Sequence, residues 1–123
     1  MAKKILIADD EPNIVISLEF LLKREGYEVL VARNGAEALD RVHAERPDMA
    51  ILDVMMPQRN GFEVCQDLRQ DPEFRDLRIM MLTAKGRDTE VSKGLALGAD
   101  VYMTKPFSTK ELIAKVKALF DRA

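Results

Sequence analysis

The sequence predicts an α/β protein in which helices cover both faces of a five-stranded parallel sheet with the strand order 2-1-3-4-5. Short apolar runs alternate along the chain with segments of helical periodicity. The runs are almost continuously apolar, as in parallel strands that are buried on both faces. Repeated alternation of this kind implies a doubly wound parallel sheet, and right-handed crossovers leave few possible strand orders.

The element boundaries follow from the same pattern. The five predicted strands are residues 5–8, 29–32, 49–52, 79–82 and 101–103. Four helices are predicted by apolar positions that share one helical face, namely Ile14, Leu18, Leu21 and Leu22, then Leu39 and Val42, then Phe62, Cys65 and Leu68, and last Leu112, Ile113, Val116, Leu119 and Phe120. Pro12 and Gly26 are placed to open and to end the first helix. Ser108, followed by Glu111 three residues later, predicts a capping box for the last helix.

A further helix over residues 88–97 has only a thin apolar pattern. Val91 and Leu95 are four residues apart, Gly94 interrupts the segment, and Gly98 follows it. An interior glycine costs about 1 kcal/mol relative to alanine. We therefore expect this helix to be among the least firmly held elements of the fold, and easy to shift.

Length and composition restrict the classes of function. The 123 residues suit one domain, and the 47% apolar and 33% charged fractions are those of a folded globular protein. A net charge of −2 provides no field for nucleic acid, and the lone Cys65 permits no intrachain disulfide. The chain shows neither the apolar core of a signal peptide nor a run of roughly 18 apolar residues that could span a membrane. We expect a single domain over residues 1–123, located in the cytoplasm, with no membrane and no direct nucleic-acid partner.

Polar residues with evident chemistry stand at the ends of four predicted strands. Asp9 and Asp10 follow the first strand, Asp53 the third, Thr83 the fourth and Lys105 the fifth. In an open parallel sheet, ligands bind beyond the carboxyl ends of the strands, where the strand order reverses. Clustered carboxylates raise one another's pKa unless a cation intervenes, and oxygen ligands suit Mg²⁺. The pattern predicts a site for a divalent cation and a phosphoryl group.

Each of these residues also has an ordinary structural interpretation. Asp9 and Asp10 are suited to capping the first helix, since Asp is a favoured N-cap residue. Lys105 is compatible with a solvated loop, and Thr83 with an unremarkable strand end. Asp53 argues against the capping interpretation, because an Asp that ends an apolar strand has no helix of its own to cap.

Four segments together resemble a known family. LIADDEP, ILDVMMPQRNGFEV, MLTAKG and GADVYMTKPF, in this order and spacing, are similar to the receiver domain of bacterial two-component response regulators, including the chemotaxis regulators. The resemblance covers essentially the whole chain and implies a flavodoxin-like fold. It implies that Asp53 is the phosphoacceptor, that Asp10 binds Mg²⁺ directly and Asp9 mainly through water, and that Asp53 and the Met55 carbonyl complete the protein's metal ligands.

The same resemblance implies roles around the phosphoryl group. Lys105 would pair with the phosphoryl oxygens, and the Lys105–Pro106 peptide would be cis. Thr83 would donate a hydrogen bond to these oxygens once they arrive, and Tyr102 would turn inward with it. Phosphoryl transfer needs positioning and charge neutralisation more than covalent chemistry, so a lysine and a divalent cation are suitable groups.

The function implied is that of a signalling switch and not of an enzyme. A sensor histidine kinase or a histidine phosphotransfer protein would donate the phosphoryl group in a Mg²⁺-dependent step, with at most weak self-catalysed phosphorylation and dephosphorylation. The signal would leave through the surface formed by residues 88–97, the last strand and the last helix, towards an output protein that the sequence does not identify.

One subgroup of receivers, joined to winged-helix DNA-binding domains, dimerises through charges on that surface. Those receivers commonly carry a second acid after the Gly-Ala-Asp triplet, where this chain has Val101. Val91 and Ala96 also occupy positions that are often charged in the subgroup. We therefore expect a monomer, or a weak dimer that depends on activation.

Two other classes of function fit parts of the pattern. Phosphatases with an aspartyl nucleophile typically have a second acid two residues after it, and this chain has Met55 there. Flavin-binding electron carriers of the same fold need a Ser/Thr/Gly-rich phosphate loop after the first strand. Here ADDEP follows that strand, and its acids would repel a flavin phosphate.

Overall fold

The computed structural model describes residues 2–84, 92–93 and 96–121 and confirms the predicted parallel sheet. All four strand pairings are parallel, and the order is β2-β1-β3-β4-β5. The strands are β1 Lys4–Ala8, β2 Glu28–Ala32, β3 Met49–Asp53, β4 Arg78–Ala84 and β5 Val101–Lys105. The helices are α1 Pro12–Arg24, α2 Gly35–Glu45, α3 Gly61–Gln70 and the last helix Thr109–Asp121, with a 3₁₀ turn at Pro72–Phe74.

Alternate strand residues feed two hydrophobic cores, one on each face of the sheet. On one face Leu6, Leu52 and Met81 pack with α2 and α3. On the other face Ile7 and Ile51 pack with α1 and the last helix. The central strand β3 is therefore buried along its whole length. The edge strands differ from the prediction of strands buried on both faces. β2 and β5 are only partly buried, because each is paired with another strand on one side only.

Three strands continue further than the apolar pattern predicted. Backbone pairing extends β3 to Asp53, β4 to Ala84 and β5 to Lys105, with Asp53 opposite Leu82 and Ala84 opposite Lys105. A polar side chain ends an apolar run in the sequence, but it does not interrupt the main-chain ladder. Asp53, Thr83 and Lys105 thus belong to the sheet and not to the loops that follow it.

The helix ends agree with the sequence signals in most places. Pro12 opens α1, and Gly26 beyond its end has a φ of 94°, the left-handed region that glycine adopts at little cost. At the last helix, the Glu111 N–H donates to Ser108 Oγ at 3.2 Å, which is the first half of the predicted capping box. The α1 cap differs: the N-cap residue is Glu11, whose side chain makes no capping hydrogen bond.

The predicted helix over residues 88–97 lies largely outside the described residues. Residues 92, 93 and 96 are helical, and the Leu97 N–H donates to the Lys93 carbonyl at 3.0 Å. Val91 and Leu95, on which the apolar pattern depended, are not among the described residues. None of the helices in the described part of the chain is long and apolar enough to cross a membrane.

Two glycines hold the loop after β3 against the rest of the fold. A Cβ at Gly61 would lie 2.5 Å from the Asp53 carbonyl oxygen, and the Gly61 N–H donates to the Val54 carbonyl at 3.0 Å. A Cβ at Gly35 would overlap the main chain of Arg59. Both close approaches fix the path of residues 54–60, which leave the sheet directly after Asp53.

We predict that Gly35→Ala destabilises the protein by about 1–3 kcal/mol, the usual cost of overpacking. Alanine is normally the better residue in a helix, so the sign of the effect is opposite to helix propensity. Urea unfolding followed by circular dichroism measures the change. Ala44→Gly, at an exposed position of the same helix, is the control and should show the ordinary preference of α2 for alanine. A Gly35→Ala protein as stable as the wild type would show that the Arg59 main chain can move away from the added methyl group at no cost in stability.

Candidate functional site

The carboxyl ends of four strands place the predicted residues around one crevice. Asp9 follows β1, Asp53 ends β3, Thr83 lies in β4 and Lys105 ends β5. Asp9, Asp10 and Asp53 form a group of three carboxylates, each of which offers an oxygen within 4.8 Å of the others. Asp9 and Asp53 are buried and Asp10 is exposed, so the group opens to solvent on one side.

Asp9 is held by the main chain and does not cap α1. Its N–H donates to the Ala32 carbonyl at 3.1 Å, and its Oδ1 accepts the Glu11 N–H at 2.9 Å. The capping interpretation of Asp9 and Asp10 was therefore wrong, because the N-cap residue of α1 is Glu11, which follows both of them. The second oxygen, Oδ2, is buried and lies 3.0 Å from Lys105 Nζ, but without the angles of a proper hydrogen bond.

Asp53 lies in a markedly unfavourable place for a carboxylate. Burial, then the negative charge of Asp9, raises its pKa to about 7, although Lys105 and the Met55 N–H act in the opposite direction. The hydrogen bond from the Met55 N–H to Asp53 Oδ1 is long, at 3.4 Å. Buried like charges are tolerated in proteins when a cation shares the site.

Lys105 supplies the described cationic group nearest these carboxylates. Its Nζ lies 3.0 Å from Asp9 Oδ2, 3.0 Å from Glu11 Oε1 and 3.4 Å from Asp53 Oδ1. Only 15% of the side chain is exposed, so the interpretation of Lys105 as a solvated loop residue was wrong. The Lys105–Pro106 peptide is cis, as the resemblance implied.

Thr83 and Tyr102 lie on the β4–β5 side of the crevice. Thr83 is 2% exposed, and its Oγ1 is buried without a hydrogen-bond partner among the described residues. A buried hydroxyl without a partner is costly and uncommon, so this group is suited to an acceptor that arrives from outside. Tyr102 is half-buried against the α2–α3 core and sits opposite Met81 in the β4–β5 register.

Met55 contacts Asp53 through its main chain. The residue is 63% exposed, and its N–H points to Asp53. Glu11 is the residue at this crevice that the sequence reasoning did not single out, although it contacts Lys105 directly. Glu11 is visible in the sequence as the third acid of ADDEP. Its position just before the first predicted helix gave no reason to expect a contact with Lys105.

The residues present suit a hard divalent cation. Carboxylate oxygens are the ligands that Mg²⁺ prefers, and it keeps several waters of its own. The group combines two buried carboxylates, one exposed carboxylate and an oxygen of Asp9 that lacks a hydrogen bond. This donor set fits a magnesium ion, which would enter the site from solvent on the side of the exposed Asp10.

Comparisons with known proteins agree on one family. The family model described as the response regulator receiver domain matches residues 5–117. A protein from Chloroflexus aurantiacus assigned as a response regulator is 38% identical, with a TM-score of 0.96 over 99% of this chain and 100% of that chain. The receiver domain of a signal transduction histidine kinase from Syntrophus aciditrophicus is 34% identical, with a TM-score of 0.91 over 99% and 95%. The chemotaxis protein CheY4 of Vibrio cholerae is 32% identical, with a TM-score of 0.90 over 97% and 99%.

We predict that Asp53→Asn stabilises the cation-free protein at high pH. Because the folded-state pKa of Asp53 is raised, the native state holds this proton more tightly than the unfolded chain. Stability from this group is therefore complete below about pH 4 and is lost as the pH rises through about 7. In EDTA, the free energy of unfolding of the variant should exceed that of the wild type by on the order of 2 kcal/mol at pH 8. The difference should be much smaller at pH 4.5.

Urea unfolding at both pH values measures this difference, and Mg²⁺ added at pH 8 should narrow it. The control is Asp40→Asn, since Asp40 is exposed on α2. A stability difference between Asp53→Asn and wild type that does not change with pH would contradict the expectation that the ionised Asp53 carboxylate destabilises the folded protein.

Proposed function

Because the chain belongs to the response regulator receiver domain family, we propose that it is a switch in which Asp53 accepts a phosphoryl group. Receiver domains are phosphoacceptor signalling domains of two-component systems, and histidine kinases or phosphotransfer proteins supply their phosphoryl groups. The observation that supports the assignment is the burial of Asp53 at the end of β3, beside the carboxylate of Asp9 and within 3.4 Å of the Lys105 ammonium.

The chemistry requires little beyond these groups. An oxygen of the Asp53 carboxylate forms a bond to phosphorus while the P–N bond of a donor phosphohistidine breaks, and the donor imidazole leaves with the electron pair and takes up a proton. Lys105 is placed to stabilise negative charge on the transferred group. A bound Mg²⁺ would supply further charge neutralisation. Asp10 would hold the ion directly, Asp9 mainly through water, and Asp53 with the Met55 carbonyl would complete the protein ligands.

The phosphodonor we propose is a protein, either a sensor histidine kinase or a histidine phosphotransfer protein. Among the described residues, the large apolar side chains that are exposed are Ile16, Phe20 and Met55. Met55 stands two residues after Asp53, and Ile16 lies in the helix that begins three residues after Asp9. An exposed apolar side chain beside a reactive carboxylate, as at Met55, suits a protein partner more than a small solute.

Phosphorylation would change the protein surface that lies beyond Thr83 from Asp53. New phosphoryl oxygens beside Asp53 offer acceptors for the unpartnered Thr83 hydroxyl, and an inward shift of Thr83 leaves room for Tyr102. The surface that would change consists of residues 88–97, β5 and the last helix, and it would bind an output protein. We propose that residues 1–123 act as one receiver unit, with weak self-catalysed phosphorylation and dephosphorylation.

The oligomeric state we propose is a monomer or a weak activation-dependent dimer. Val101 is half-buried at the start of β5, and Ala96 is exposed without a charge. Val91 lies outside the described residues. These positions do not provide the charged contacts through which the winged-helix subgroup pairs.

We predict that acetyl phosphate with Mg²⁺ adds one phosphoryl group, and that Asp53 carries it. Intact-mass spectrometry should show a single addition in the wild type, no addition in Asp53→Ala, and no addition in EDTA. Asp40→Ala, which removes an exposed Asp from α2, should be phosphorylated like the wild type. Full labelling of the Asp53→Ala protein would place the acceptor elsewhere and overturn the proposal.

We also predict that Thr83 couples the phosphoryl group to Tyr102. With Mg²⁺ and beryllofluoride as a phosphoryl mimic, amide NMR shifts of the wild type should change most over residues 83–102. Thr83→Ala should still bind the mimic but should show a smaller change at Tyr102. Thr104→Ala is the matched control, because Thr104 is exposed and pairs with Thr83 in the β4–β5 register. An undiminished response of Tyr102 in Thr83→Ala would exclude the coupling.

A further inference from the structure

We propose that Glu11 restrains the Lys105 ammonium before phosphorylation and so limits how readily Asp53 is phosphorylated. This inference rests on the proposed function, in which Lys105 serves the phosphoryl group. It concerns a residue outside the acidic cluster, at the start of α1.

The contact is direct. Glu11 Oε1 accepts a hydrogen bond from Lys105 Nζ at 3.0 Å, whereas Asp53 Oδ1 lies farther from the same ammonium, at 3.4 Å. The Glu11 side chain is 58% exposed, so it holds the ammonium from the solvent side of the crevice. Asp53, by contrast, holds it from the buried side.

Glu11 is available for this contact because its side chain has no duty in the helix. It occupies the N-cap position of α1, yet it makes no side-chain capping hydrogen bond. Its main chain is nevertheless fixed, since its N–H donates to Asp9 Oδ1 at 2.9 Å. The residue is thus anchored at the site, while its carboxylate can leave Lys105 by rotation of the side chain alone.

An ammonium has three donors, and here three carboxylates surround it. Burial alone would lower the pKa of Lys105, but the carboxylates of Asp9 and Glu11, followed by the charge of Asp53, raise it overall. When phosphoryl oxygens arrive at Asp53, Lys105 must direct a donor to them. The exposed partner, Glu11, is the one that can be released at the lowest cost, since exposed ion pairs are weak.

The consequence is a modest brake on phosphorylation. Breaking the Glu11–Lys105 pair before transfer disfavours the phosphorylated state by the strength of an exposed ion pair, equivalent to about two- to fivefold in affinity or rate. The charge of Glu11 also repels an anionic donor. Two variants separate these effects: Glu11→Gln keeps the length and removes the charge, and Glu11→Asp keeps the charge but shortens the reach.

The experiment compares wild type, Glu11→Gln, Glu11→Asp and the control Glu73→Gln. Glu73 is also exposed and ion-paired, with Arg46, but it precedes the amino end of β4 at the opposite edge of the sheet. Three quantities are measured: the rate of phosphorylation by acetyl phosphate, the affinity for beryllofluoride at saturating Mg²⁺, and the NMR shift of the Lys105 side chain without any phosphoryl mimic.

Both Glu11 variants should be phosphorylated about two- to fivefold faster and should bind beryllofluoride more tightly by a similar factor. Both should also shift the Lys105 side-chain signal, and Glu73→Gln should match the wild type in all three measurements. Unchanged or slower phosphorylation of the Glu11 variants, with a wild type that is labelled normally, would overturn this inference alone.

Faster labelling of Glu11→Gln with wild-type behaviour of Glu11→Asp would assign the effect to charge repulsion, and it would equally overturn the restraint of Lys105. A wild type that is not phosphorylated at all would overturn the proposed function, and this inference with it.

Discussion

The burial of two neighbouring carboxylates under a single ammonium is the constraint on which the site depends. Asp9 and Asp53 are both buried and Lys105 contacts both, so the described residues hold more negative than positive charge in the crevice. Such an arrangement destabilises the folded protein unless a cation neutralises it. The same excess of negative charge is what makes the crevice suitable for a divalent cation, and under the proposed function that cation would also neutralise an incoming phosphoryl group.

The sheet is what makes this arrangement tolerable. Asp53 ends the central strand β3, which is buried throughout and paired on both sides, with β1 and with β4. The loop that follows is then confined by close backbone approaches at Gly35 and Gly61. A carboxylate on a flexible loop would turn to water and lose its raised pKa. Here the strand and the two glycines prevent that movement.

The sequence could predict the strand order and the convergence of polar residues, because apolar periodicity and strand-end chemistry are local signals. It could not predict that backbone pairing continues through Asp53, Thr83 and Lys105, since a polar residue ends an apolar run without ending a strand. The contact of Glu11 with Lys105 was equally out of reach. It joins residues 94 positions apart, and its formation depends on the path of the chain before α1.

The two ends of β5 are held by different means, and this difference bears on how a change at Asp53 can spread. At the amino end, the Arg69 guanidinium on α3 donates to the carbonyls of Leu77 and Gly98 and to the Asp100 carboxylate, at 2.6, 2.7 and 3.0 Å. These contacts fix the turn before β5 to the turn before β4. At the carboxyl end, β5 leads to Lys105, whose ammonium contacts three carboxylates, beside a Thr83 hydroxyl that has no partner among the described residues. Under the proposed function, a phosphoryl group on Asp53 would act on the carboxyl end of β5, where polar contacts can be exchanged, while Arg69 holds the amino end. Tyr102 lies between these two ends of the strand.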